Sequence, residues 1–210
     1  KPPAKNEEPN LSEKIARIKY AKPVFAASGT FGYGSEYSTV LDVDSLGGIC
    51  SKGLTLDGQP GNFGVRLIET PMGLINSIGL ENPGIKHFIE NELPLMQKFK
   101  AKTIVNLSGK SLETYVEGAK LLDKTDAPMI ELNISCPNVK AGGMAFGMEP
   151  KAAASVVEAV RKATKKPLMV KLSPNAPDLI GVAMAVKNAG ADAISLVNTF
   201  QATAINIETG

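Results

Sequence analysis

The sequence predicts an α/β fold of the (β/α)8 barrel type, and three observations predict it. Short strand-like runs alternate with amphipathic helix patterns along the chain. Polar residues able to bind or react stand at the C-terminal ends of several different runs, which is where a barrel carries its chemistry. The first run leads into Ser28-Gly29-Thr30-Phe31-Gly32-Tyr33-Gly34, a poor match to the G-x-G-x-x-G turn of a doubly wound dinucleotide-binding sheet.

The first ten residues, Lys1-Pro2-Pro3-Ala4-Lys5-Asn6-Glu7-Glu8-Pro9-Asn10, are polar and proline-rich. Residues 1–22 therefore read as a leader or tail, with no apolar segment of the kind a signal peptide needs. Strand-like runs follow at 23–28, 48–53, 102–108, 129–135, 168–173 and 193–198. Between them, Ser111 is placed to cap a helix whose Leu112, Tyr115, Ala119 and Leu122 share a face. Pro150 opens the next helix, with Val156, Val157, Val160 and Ala163 inward. Pro177 opens another, striped by Leu179, Val182, Ala183 and Val186 and closed by Gly190. Residues 55–91 break the rhythm with glycines and prolines, and long insertions of this kind are usually functional. One domain, residues 23–210, accounts for all of this. Only six strands are found where a full barrel has eight, so the last two βα units are expected to be missing from these residues.

Composition narrows the function. The 210 residues carry 23 basic and 21 acidic side chains, scattered, with a net charge of +2. This gives no patch for nucleic acid or a membrane surface. The longest apolar runs are too short to span a bilayer. Two cysteines, Cys50 and Cys136, make no disulfide scaffold and suit a reducing cytoplasm. The single histidine, His87, excludes a zinc site built on several histidines, and it reads as a surface residue at a helix start.

The densest chemistry lies in Asn133-Ile134-Ser135-Cys136-Pro137-Asn138. A strand there delivers two asparagines and a thiol into the glycine-bearing loop Val139-Lys140-Ala141-Gly142-Gly143-Met144-Ala145-Phe146-Gly147. Asn106, Asn133 and Asn198 stand at strand ends, and an amide offers donors and an acceptor to a heterocycle with C=O and N–H groups. Each could equally cap a helix or close a turn. Lys52 and Lys171 stand at strand ends too. Lys171 alternates with Val170 and Leu172, so it faces the other side of its strand. An ammonium inside a barrel is costly unless it meets an anion or reacting group, although either lysine could snorkel to solvent. Cys136 is a small core residue or a thiol whose pKa, ordinarily about 8.5, can be tuned for general-base work. Cys50 reads as a core residue that shares strand parity with Lys52. The residues alone fit a cofactor barrel in which a lysine steadies an anionic ring beside a base. They also fit a Schiff-base lyase using Lys171, although that leaves the cysteine and the asparagines unexplained.

These motifs resemble a known family. Asn133 to Lys140 with Gly142 to Gly147 is similar to the signature of class 1 dihydroorotate dehydrogenases, and within them to the NAD-linked subtype 1B. Ala27-Ser28-Gly29-Thr30-Phe31-Gly32, Ser51-Lys52-Gly53-Leu54-Thr55-Leu56, Asn76-Ser77-Ile78-Gly79-Leu80-Glu81-Asn82-Pro83-Gly84, Val170-Lys171-Leu172-Ser173-Pro174-Asn175 and Val197-Asn198-Thr199 add to the resemblance. It implies an FMN-binding (β/α)8 (TIM) barrel that oxidises dihydroorotate to orotate in cytoplasmic pyrimidine synthesis. It implies Cys136 as the base that removes the C5 proton, while the C6 hydride passes to flavin N5. Lys52, Asn76, Asn133, Asn138, Asn198 and Thr199, with the backbone of Ile78, Gly79 and Leu80, would hold the substrate. Ala27, Ser28, Lys52, Asn106, Asn133, Lys171 and Val197 would contact FMN. The loop from Pro137 to Gly147 would be a lid. A homodimer, or a heterotetramer with a subunit carrying FAD and [2Fe–2S], is implied as the assembly. A related flavoenzyme acting on another dihydropyrimidine and an inactive truncated barrel stand as alternatives, because the segments that hold the FMN phosphate in this family are not found here.

Overall fold

The computed structural model describes residues 9–135, 146–205 and 207–208. Its centre is a six-stranded, all-parallel sheet in the order β10-β9-β8-β7-β4-β3. The strands are β3 (Phe25–Ala26), β4 (Gly48–Cys50), β7 (Lys102–Leu107), β8 (Met129–Asn133), β9 (Leu168–Lys171) and β10 (Ala193–Ser195). All six runs expected from the sequence are present, each shorter than its apolar pattern. From β4 to β10, strands consecutive in this sheet are hydrogen-bonded neighbours, the order of a barrel wall and not of a doubly wound sheet. Within the described residues the sheet ends on β3 and β10, so the wall is curled but open.

Alternation along each strand separates two cores. One face carries Ile49, Val105, Leu107, Ile130, Leu132, Val170 and Leu172, packed against helices. Those helices are α3 (Leu112–Asp123), α4 (Pro150–Ala163) and α5 (Leu179–Asn188). They bury Tyr115, Ala119 and Leu122, then Val156, Val157 and Val160, then Val182 and Val186. Ser111 caps α3 in a reciprocal box with Thr114. Pro150 sits in the first turn of α4 as expected. Pro177 lies one residue before the Asp178 cap of α5, because the Asp178 carboxylate accepts from Gly181 N–H and sets the first turn. Gly190 follows α5 with φ of 106°, a conformation costly for residues with a Cβ.

The opposite face of the sheet turns inward. Its lower layer is Cys50, Ile104, Met129 and Met169, closed from beneath by Tyr20 with Ile15, Ala16 and Ile18 packed beside it. These last residues belong to an antiparallel hairpin, β1 (Glu13–Ile15) and β2 (Ile18–Tyr20). The stretch 1–22, which reads as a leader in the sequence, thus supplies the barrel floor from Glu13 to Tyr20. A second hairpin, β5 (Leu67–Thr70) and β6 (Gly73–Asn76), stands on the glycine-rich insertion. Helical turns at α1 (Ile85–His87) and α2 (Leu93–Met96), joined by a π-turn, return the chain to β7. No helix among the described residues is long and apolar enough to cross a membrane.

Candidate active site at the C-terminal strand ends

Above the apolar floor the inward face becomes polar. The ladder sets Asn106 of β7 opposite Glu131 of β8, then Asn133 of β8 opposite Lys171 of β9, and Lys171 opposite Ser195 of β10. Parallel pairing holds these side chains in two successive layers at the strand ends. All but Ser195, which is half-buried, are buried.

A hydrogen-bond chain runs through them. Asn198 Nδ2 donates to Ser135 Oγ at 2.6 Å. The Ser135 hydroxyl and its N–H both donate to Asn133 Oδ1, the N–H at 3.2 Å. Asn133 Nδ2 makes a long 3.4 Å bond to Asn106 Oδ1. Asn106 Nδ2 donates to Glu131 Oε2, whose other oxygen accepts from Ser195 Oγ at 2.7 Å. The Tyr115 hydroxyl, reaching in from α3, pins the Asn133 carbonyl at 2.8 Å. Asn106 is wholly covered by protein atoms and so stands behind Asn133.

Lys171 is only 9% exposed and has no ion pair among the described residues. Cys50 lies below, close enough for the Glu131 and Lys171 charges to act on its thiol. Burial pushes that thiol well above its usual range and Glu131 adds to the rise, while Lys171 and a Ser28 backbone hydrogen bond oppose it. Cys50 is therefore a neutral core thiol, as the core reading expects, and its shared parity with Lys52 sets it on the inward face beneath the site.

The insertion brings a second wall. Gly53 has room for no Cβ, which would lie 2.9 Å from Leu80 Cδ1, 3.0 Å from Asn106 Oδ1 and 3.4 Å from Ser108 Oγ. Close approach of these three groups requires glycine there. The carbonyls of Ile78, Gly79 and Leu80 accept bonds from Asn62 N–H, Gln59 Nε2 and Asn82 Nδ2. Among the described residues their N–H groups have no acceptor. Asn82 closes the base of the insertion, its Oδ1 accepting from Thr55 N–H and Gly84 N–H, each at 3.0 Å. Arg66 bridges Glu81 at 2.6 Å. That bond, and then the Lys52 ammonium, hold the Glu81 carboxyl below its ordinary range.

The sequence-derived site residues thus fall into groups. Asn106, Asn133, Lys171 and Asn198 converge, with Leu80 against them. Lys52 is half-buried and faces Glu81 in a cleft of about 740 Å³ that also touches Gly29, Tyr33 and His87. That cleft meets the site only at its margin, and the buried polar chain is the better guide to the chemistry. Ser28 reaches the interior through its backbone, and Val197 is half-buried. Ala27, Asn76 and Thr199 are exposed, the last donating its N–H to Asn198 Oδ1 at 2.8 Å. Cys136, Asn138 and residues 137–145 of the expected lid lie outside the described residues. Sequence reasoning missed Glu131, Ser135 and Ser195. The signal was present in Met129-Glu131-Asn133-Ser135, where a charged residue shares the inward parity of the asparagine.

Residues 10–210 match the family described as dihydroorotate dehydrogenase. The chain belongs to the dihydroorotate dehydrogenase family. It is 51% identical over 200 residues to a protein of Caldicellulosiruptor bescii, covering 95% of this chain and 66% of that one. It is 52% identical over 193 residues to one of Petrotoga mobilis, covering 92% and 64%. With one of Bacteroides thetaiotaomicron it shares 48% over 200 residues, covering 95% and 66%. Each of these relatives is named as the catalytic subunit of dihydroorotate dehydrogenase B (NAD(+)). The chain spans slightly less than two thirds of their length. The resemblance drawn from the motifs is thereby shown, and the open parallel wall is part of the (β/α)8 barrel of this dihydroorotate dehydrogenase family.

Proposed function

We propose that this chain is the catalytic part of an NAD-linked dihydroorotate dehydrogenase, which oxidises dihydroorotate to orotate in cytoplasmic pyrimidine synthesis. The observation that carries the reading is the convergence of Asn133, Lys171 and Asn198 at three neighbouring strand ends, in a chain about half identical to named catalytic subunits.

The donor set fits FMN. A buried ammonium without an ion pair among the described residues, Lys171, suits a ring that becomes anionic on reduction. Ser108 Oγ is buried beside Gly53 with no hydrogen-bond partner among the described residues, a second unspent polar atom next to the same site. Ala27, Ser28, Lys52, Asn133, Lys171 and Val197 would hold the group, with Asn106 standing behind Asn133. FMN would supply the acceptor for the C6 hydride.

The chain's own residues do the rest. The N–H groups of Ile78, Gly79 and Leu80, without an acceptor among the described residues, offer donors to the substrate carboxylate. Lys52, Asn76, Asn133, Asn138, Asn198 and Thr199 orient the ring, and orientation of this kind lowers the entropic part of the barrier. Cys136, three residues after Asn133, takes the C5 proton as general base. The lid from Pro137 to Gly147 keeps water away from the transfer. A partner subunit carrying FAD and [2Fe–2S] would supply the route from this chain to NAD, in a heterotetramer built on a homodimer of this chain.

Under anaerobic conditions the FMN-loaded protein should be bleached by dihydroorotate. A Cys136→Ser variant should keep its flavin and lose roughly 10²- to 10⁴-fold in turnover near neutral pH, the usual share of a general base. Unchanged turnover would remove Cys136 from the mechanism. Bleaching by dihydrouracil in preference to dihydroorotate would transfer the site to another dihydropyrimidine.

A further inference from the structure

The polar chain at the strand ends has a direction. A carboxylate only accepts hydrogen bonds, whereas an amide does both. Glu131 is 3% exposed, and its two oxygens take Asn106 Nδ2 and Ser195 Oγ. Asn106 must therefore present its N–H side to Glu131, which leaves its Oδ1 to accept from Asn133 Nδ2. Asn133 then has its own Oδ1 free for Ser135, and that oxygen accepts twice, from the Ser135 N–H and hydroxyl. Two acceptances fill the lone pairs of an amide oxygen. Among the described residues, the capacity left on the Asn133 side chain is one N–H.

We propose that Glu131 is a positioning residue: its buried carboxylate sets the polarity of the Asn106–Asn133–Ser135 chain, so that Asn133 meets the ligand as a donor and never as an acceptor. This rests on the proposed substrate site and adds its selectivity. With Lys171 in the same layer as Asn133, the strand ends present positive charge and N–H groups. They favour a ligand face built of carbonyl and carboxylate oxygens over one that offers N–H groups. Without the carboxylate, Asn106 and Asn133 could both flip, and the same position would offer an oxygen to a ligand oxygen.

Two substitutions separate polarity from packing. Glu131→Gln keeps the shape but adds a donor, so both directions of the chain become available. Glu131→Asp is shorter but remains an acceptor, reached directly or through one water. Orotate binding is read from the absorbance of the FMN-loaded protein, and the side-chain amide resonances of the asparagines from ¹⁵N spectra of the ligand-free chain. The expected result is an orotate Kd weakened about tenfold or more in Glu131→Gln, with doubled or shifted amide resonances, while Glu131→Asp stays nearer to the unsubstituted protein in both. An orotate Kd and amide spectrum unchanged in Glu131→Gln would overturn the proposal. So would weaker binding by Glu131→Asp than by Glu131→Gln, the order that packing predicts, or loss of the folded circular dichroism spectrum in both variants. If the unsubstituted protein binds no orotate, the proposed function fails, and the amide spectra still decide whether Glu131 sets the polarity.

Discussion

Cys50 and Tyr20 occupy the floor beneath the candidate site, and both are held neutral. Burial raises the Cys50 thiol from 9.0, with Glu131 adding to the rise. Burial, then Cys50, raises the Tyr20 phenol from 10.0 to about 12. A group whose pKa is raised on folding stabilises the fold fully below its unfolded value and ceases to do so as pH climbs through its folded value. Stability from this pair is therefore complete below about pH 9 and declines as pH rises towards 12. Denaturant midpoints measured from pH 8 upward should fall in that window. Native Cys50 should also resist iodoacetamide at neutral pH, because the thiolate is the nucleophile. Peptide mapping by mass spectrometry should find it labelled only after unfolding. Labelling of the native protein would place Cys50 outside the core.

At the scale of the element, each helix is defined by what closes its ends. Ser111 and Thr114 satisfy two of the N–H groups that α3 cannot pair internally. The far end of α3 is tied to the end of α4, where Asp123 accepts from the Thr164 hydroxyl at 2.6 Å and Lys165 N–H at 2.9 Å. The Thr164 bond chiefly holds the Asp123 carboxyl below its ordinary range. Helix α3 also carries Tyr115, whose hydroxyl fixes the Asn133 carbonyl, so its seating reaches the site. Ser111→Ala should cost about 1 kcal/mol. For a domain of this size that lowers Tm by roughly 2–4 °C, measurable by calorimetry. The sequence displayed this element almost completely, because capping and helical periodicity are local. The two hairpins were not legible. Strands of three or four residues are too short to show a period, and β5–β6 exposes Leu67, Ile68 and Leu74 where alternation would call for burial.

For the whole molecule, the open wall has a consequence. The described sheet ends on β3 and β10, and exposed apolar side chains lie beside those edges: Val24 at one, Ile194 and Leu196 at the other. Unpaired parallel edges of this kind invite association with another chain. The 210-residue chain by itself should show a concentration-dependent rise in mass by light scattering. Ile194→Lys with Leu196→Lys should reduce that rise. A monodisperse monomer across the concentration range would show the edges to be protected.

Sequence alone determined the α/β class, the six wall strands, the capped helices and the polar strand ends. These rest on alternation, helical spacing and end chemistry, all carried within a few neighbouring residues. It also carried the motifs that relate the chain to its family. Tertiary structure decided which of the polar residues meet. Strand register placed Glu131 opposite Asn106 and Lys171 opposite Asn133, and register is a relation between segments far apart in sequence. The same long-range packing set Tyr20 against Cys50, Ile104, Met129 and Met169, and so made the hairpin of residues 13–20 a barrel floor. A buried carboxylate that sets the direction of a hydrogen-bond chain could emerge only there, because its partners Asn106 and Ser195 come from two other strands.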